Sequence, residues 1–161
     1  MVVITTIIMS DAKRSQQKVL HLADFWPYQV TVLADRIARR TSSIVKESGI
    51  NLSQWRVMAA IAEVPGRTSV EVVAITPMDK GIVSRATRSL LEHGFVRREA
   101  SQEDGRVSHL YLTERGREVY GEIMPQVEAV LRCADDTLTR EQQLRLSSDL
   151  GTLMSSIPDN R

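Results

Sequence analysis

Between Asp79 and Gly116 the run DKGIVSRATRSLLEHGFVRREASQEDGRVSHLYLTERG switches from a helical hydrophobic period to strict alternation. No other stretch restricts the fold so strongly. Val83, Ala86, Leu90 and Leu91 recur at helical spacing after the capping residue Asp79, and Gly94 stops that helix. FVRREA and VSHLYLT then read as two short strands joined by SQEDGR, in which Asp104-Gly105 supplies hairpin-turn chemistry. In the second strand Val107, His109 and Tyr111 share one face, and Leu110 and Leu112 share the other.

The flanks are helical. From Trp26 the apolar residues Trp26, Val30, Leu33, Ile37 and Ile44 step by four, three, four and seven, a seam at coiled-coil spacing. Asp24 is placed to cap this helix, Pro27 fits its first turn, and Gly49 ends it. A second helix is predicted from the cap Ser53 through Trp55, Met58 and Ile61 to Pro65-Gly66. Thr68 and Glu71 form a capping box for a short third helix that ends at Thr76-Pro77. After the hairpin, Thr113 caps a long fifth helix that Pro125 is expected to kink. Thr139 and Gln142 cap a sixth, with Leu146, Leu150, Leu153 and Ile157 along one side. The terminal seams exceed what one small domain easily buries, so they are expected to pair with a second copy; the alternative is that they cover each other within one chain.

A chain of 161 residues holds one compact domain by default, and its net charge of +1 does not by itself indicate or exclude nucleic acid. The single cysteine, Cys133, excludes an intrachain disulfide framework and fits a reducing, cytoplasmic compartment; it reads as a buried inert thiol. The apolar start MVVITTIIM lacks the features of an export signal and is too short to span a bilayer. Residues 1–20 are read as a flexible extension, with docking on a partner subunit or a true start at Met9 left open. His21, His93 and His109 stand far apart without ligand-spaced partners, so no metal is predicted. No phosphate loop, nucleophile elbow or Cys-His spacing points to catalysis, and no cofactor is implied.

A helix presenting Lys80, Ser84, Arg85, Thr87 and Arg88 outward while Val83, Ala86 and Leu90 face inward can enter a major groove. Arg106 at the hairpin tip can reach the adjacent minor groove, and Asp104 is placed to orient an arginine. Ser69 completes the candidate DNA set. Helix, helix and hairpin in this order form the winged helix-turn-helix pattern. Asp79-Lys80, Val83-Ser84-Arg85, Leu90, Gly94, Val96, Arg98, Asp104-Gly105-Arg106, Leu112-Thr113 and Gly116 resemble the signature of the MarR family of bacterial transcription regulators. The resemblance implies a mainly α fold with a small β-hairpin wing. In it a winged helix-turn-helix at 51–113 is flanked by dimerisation helices at 21–50 and 114–161. It further implies a homodimer that binds a pseudo-palindromic operator on double-stranded DNA and typically represses transcription. It maps the recognition helix onto Asp79 to His93, the wing arginine onto Arg106 and its bracing carboxylate onto Asp104.

The chain has two Phe, two Trp and three Tyr, and FWPYQ gathers Phe25, Trp26 and Tyr28 at the start of the first helix. The resemblance implies that small aromatic ligands bind near the first, second and fifth helices. The candidate ligand set is therefore His21, Phe25, Trp26, Tyr28, Trp55, Arg56, Met58 and Arg67, with aromatic faces for stacking and a cation for a carboxylate. Packing of these aromatics in the core is the competing reading. The expected effector is an aromatic acid of the hydroxybenzoate, methoxylated phenolic acid or hydroxycinnamate type. An aromatic acyl-CoA thioester, for which Arg36, Arg39 and Arg40 offer positive charge, is the second choice. A non-catalytic protein interaction module is the alternative from another class.

Overall fold

The computed structural model describes residues 20–101, 107–135 and 137–158. A single 3-10 turn, Leu22–Asp24, precedes α1 (Trp26–Glu47), α2 (Leu52–Glu63), α3 (Ser69–Ile75), α4 (Lys80–Glu92), β1 (Val96–Ala100), β2 (Ser108–Leu112), α5 (Glu114–Asp135) and α6 (Arg140–Ser156). The predicted order and the mainly α fold with one hairpin are observed. The chain divides into two compact units, one ending at Asp35 and one beginning at Arg36, so the division falls within α1.

Local chemistry sets most element boundaries. Thr68 and Glu71 close the predicted capping box on α3, Asp79 accepts from the Ile82 N–H at the head of α4, and Thr139 with Gln142 caps α6. For α2 the cap is Asn51 instead of the expected Ser53, because Asn51 and Gln54 satisfy each other's backbone reciprocally. Asp24 belongs to the 3-10 turn. Helix α5 continues through Pro125, which lies on its exposed side.

The core of the second unit lies between α2, α3, α4 and the hairpin. Trp55, Val57, Met58 and Ile61 from α2 meet Val72, Val83, Ala86, Leu90, Leu110, Leu112 and Ile123. Burying a side chain of this size contributes about 1.5–3 kcal/mol, so this cluster fixes the placement of α4. The strands pair antiparallel from Val96 opposite Leu112 to Ala100 opposite Ser108. Leu110 and Leu112, which share a face as expected, are both buried. The α2–α3 turn joins the sheet edge: Gly66 N–H donates to the Leu110 carbonyl at 2.9 Å, and Leu110 N–H donates to the Arg67 carbonyl at 3.0 Å. His109 Nδ1 lies 2.8 Å from the Gly66 carbonyl, which only accepts, so Nδ1 carries the proton.

One junction ties the hairpin to both of its flanking helices. Gly94 takes a positive φ of 71° after α4, the Phe95 N–H donates to the Leu90 carbonyl at 2.9 Å, and the Thr113 N–H donates to the Phe95 carbonyl at 3.0 Å. Thr113 Oγ1 donates to the Gly94 carbonyl at 2.6 Å and accepts from the Gly116 N–H at 3.0 Å. A Cβ at residue 116 would stand 1.9 Å from the Phe95 oxygen, so only glycine permits this approach.

The terminal helices leave their seams uncovered. Trp26, Val30, Leu33 and Ile37 of α1 are exposed, as are Leu146, Leu150 and Met154 of α6. Among the described residues no helix is long and apolar enough to cross a membrane.

Candidate nucleic-acid interface

Helix α4 owes its position to its inner face. Val83, Ala86, Thr87 and Leu90 are buried, a spacing of three, one and three that is one stripe of a helix. Lys80, Ser84, Arg85 and Arg88 consequently face solvent. Thr87 was expected among them and is instead 1% exposed. Its Oγ1 finds no hydrogen-bond partner among the described residues. A second contact pins the helix from behind: Gln54 Nε2 on α2 donates to Ser89 Oγ at 2.8 Å.

On one flank, α3, α4 and β1 enclose a groove of about 420 Å³. Ser69 and Val70 border it from α3, Lys80 and Ser84 from α4, and Arg98 from the wing. Four of the predicted DNA residues, Ser69, Lys80, Ser84 and Thr87, thus border one concave surface, and Val70 and Arg98, outside the predicted set, join them. Val70 is 75% exposed at the head of α3, an apolar contact suited to a thymine methyl group. Arg98, on the same face of β1 as Val96 and opposite Leu110, is nonetheless exposed; it stands in the signature quoted above but was not counted among the DNA residues. On the other flank, Arg85 and Ser89 border a groove of about 380 Å³ with Asn51 and Ser53 at the start of α2. The Arg85 guanidinium lies near the first turn of α4, 3.4 Å from where a Cβ on Gly81 would stand. Hydroxyls, amides and guanidinium groups on a solvent-facing helix are the groups that bind phosphates and base edges.

Asp104 and Arg106, with the Asp104-Gly105 turn, lie outside the described residues, as do residues 1–19 and the side chain of Cys133.

The candidate ligand residues separate. Met58 is fully enclosed, and Trp55 is 6% exposed with its ring stacked on Tyr120 at a centroid distance of 5.1 Å. Both are core residues, and the expectation that Met58 faces a ligand is corrected. Arg67 Nη1 donates to the Ala60 carbonyl at 2.7 Å and pairs with Glu63 at 2.6 Å. Arg56 is half-buried. In the unit ending at Asp35, His21, Phe25, Trp26 and Tyr28 are all exposed.

A helix held by its apolar stripe beneath a cationic outer row, followed at once by a hairpin, defines a winged helix-turn-helix protein. Residues 48–107 match the family model described as the MarR family. The HTH-type transcriptional regulator BilQ of Clostridium symbiosum is 24% identical over 130 residues, covering 81% of this chain and 88% of that protein. Two solved structures share the fold. CouR from Rhodococcus jostii, bound to p-coumaroyl-CoA, superposes with a TM-score of 0.76 at 17% identity, covering 84% of this chain and 95% of CouR. A mutant MarR from E. coli complexed with operator DNA superposes with a TM-score of 0.68 at 20% identity, covering 79% of this chain and 91% of that one. The segment that matches the MarR family model takes in α2, α3, α4 and β1, where most of the signature residues stand.

Proposed function

We propose that this protein is a transcriptional repressor that binds a pseudo-palindromic operator as a homodimer and releases it on binding a small aromatic acid. The observation that carries the reading is the outer row of α4, with Lys80, Ser84, Arg85 and Arg88 exposed over a buried stripe and Ser69 and Arg98 beside it. A helix presented in this way inserts into the major groove, while Arg98 and Arg106 address the backbone or the neighbouring minor groove. The operator complex of the related E. coli protein supports this assignment. Residues 51–113 then form the DNA-binding part, and 21–50 with 114–161 the dimerisation part. The uncovered apolar seams of α1 and α6 support a second copy as their cover.

An aromatic acyl-CoA thioester is the second effector reading. It is favoured by the p-coumaroyl-CoA bound to CouR and by the exposed Arg36, Arg39 and Arg40 on α1.

The test is fluorescence anisotropy with labelled DNA from upstream of the protein's own gene, titrated over a salt series and then with aromatic acids and their CoA thioesters. Tight binding that weakens steeply with salt and reverses with one compound class is expected. Binding through a protein module would leave salt with little effect and would overturn the assignment.

A further inference from the structure

The groove between α3, α4 and β1 has an apolar wall that the outer row of α4 does not account for. Val70 and Val73 stand three residues apart, on one face of α3, and Val83 joins them from α4. Val83 is buried and Val73 half-buried, whereas Val70 is 75% exposed. The Thr87 hydroxyl oxygen is enclosed, so it offers no polar edge to an occupant. The rim has the opposite character. Lys80 and Ser84 border it from α4, Ser69 from α3 and Arg98 from the strand, and no carboxylate is among the described lining residues.

An occupant that satisfies both parts brings negative charge to the rim and a small apolar group to the valines. Duplex DNA carries both. Phosphates flank every base, and on the major-groove edge the apolar group is the 5-methyl of thymine, in a position where cytosine has only hydrogen.

We propose that the Val70–Val73 face of α3 reads the 5-methyl group of a pyrimidine, so that sequence preference is set partly from the first helix of the motif and not by α4 alone. The inference rests on the operator-binding reading above and adds to it a determinant outside the recognition helix. Lys80 and Arg98 hold the flanking phosphates, which positions the duplex without selecting sequence. The methyl group, removed from water against Val70, supplies the selection. Since valine touches the methyl and not the pairing edge, 5-methylcytosine satisfies the same contact. At this one step the valine face distinguishes methylated from unmethylated pyrimidines.

The experiment starts from duplexes that the full wild-type chain selects out of a random-sequence pool. Each thymine of the selected site is replaced in turn by deoxyuridine, which removes the methyl group and keeps the pairing. Affinities are measured by anisotropy for wild type, Val70→Ala and Val70→Thr. Wild type should bind about 4-fold more weakly when one thymine of a half-site is replaced, as burial of a single methyl group implies. Val70→Ala should be indifferent at that thymine and respond like wild type at all others, with Val70→Thr, which keeps one methyl group, in between. A 5-methylcytosine–guanine pair at the same step should bind wild type more tightly than cytosine–guanine by a similar factor, and Val70→Ala equally with both. Val70 is exposed, so its truncation spares the core, and equal melting temperatures check this. Uracil responses that are the same in wild type and Val70→Ala at every thymine overturn the site. A loss in Val70→Ala that is equal on every sequence also overturns it, placing sugar and phosphate against the valines. Wild type that selects no DNA overturns the operator reading and the site together, whereas selection without methyl coupling overturns the site alone.

Discussion

At the scale of single residues, position on the helix outweighed polarity. Thr87 stands four residues after Val83 and three before Leu90, so the period of α4 carries it inward whatever its side chain. Reading it as outward followed its hydroxyl and not its spacing. The unpartnered Oγ1 makes Thr87→Val an informative substitution, since it removes a desolvated group and keeps the shape. The variant is expected to be more stable by about 1 kcal/mol, measured by urea unfolding; a loss of stability would mean that the hydroxyl has a partner in solution. Glu71 offers a pH-dependent test. Its carboxylate accepts from the Thr68 backbone N–H and then from the Thr68 hydroxyl, and these bonds, with smaller help from His109 and Arg67, hold its pKa below the usual 4.5. A pKa depressed on folding adds stability that is complete above the unfolded value and is lost as pH falls through the folded one. The stability difference between wild type and Glu71→Gln should therefore be constant above about pH 4.5 and should shrink below it.

At the scale of elements, most of the fold was legible because several helices announce their own start. Thr68, Asp79 and Thr139 each have a side chain that accepts from the backbone donor three residues ahead, and that chemistry is written locally. Asn51 was passed over because Ser53 stands closer to the apolar run; the reciprocal Asn51–Gln54 bonds decided between them. The wing strands were legible through alternation. The cavities were not, since Ile61, Arg97, Tyr111 and Tyr120 come from four segments and become neighbours only when the hairpin closes on α2. Helix α4 and the wing arginine carry separate predictions. Arg85→Ala or Arg88→Ala, at whichever of the two contacts guanine, should weaken operator binding by about 1–3 kcal/mol and relax sequence preference. Arg106→Ala should weaken binding to all sequences alike and reduce the salt slope by about 1. Both are read by anisotropy on matched and scrambled DNA, and a flat response to all three substitutions would sink the DNA-binding role of this face.

At the scale of the whole molecule, the exposed leucines carry the expectation. Leu33 and Leu150 lie on seams that no other part of the described chain covers, and apolar surface of that extent marks an interface. Leu33→Asp and Leu150→Asp are each expected to convert a dimer to monomer in sedimentation velocity and to abolish tight operator binding. A wild-type chain that sediments as a monomer at all concentrations would remove the dimer. Two identical reading heads on one face of B-DNA call for half-sites about 10 base pairs apart, centre to centre. The junction of Phe95 with Gly116 has a mechanical meaning here. Helix α5 is 22 residues long, roughly 33 Å at the helical rise, and its first turn is fastened to the end of α4. It behaves as a lever with its short arm at the recognition helix: a tilt of about 5° at the fastening moves the far end by about 3 Å over that length. If the protein binds its operator as proposed, a modest shift at the far end of α5 would become a small rotation at the recognition helix. A β-carbon at residue 116 would loosen the fulcrum before it touched either end.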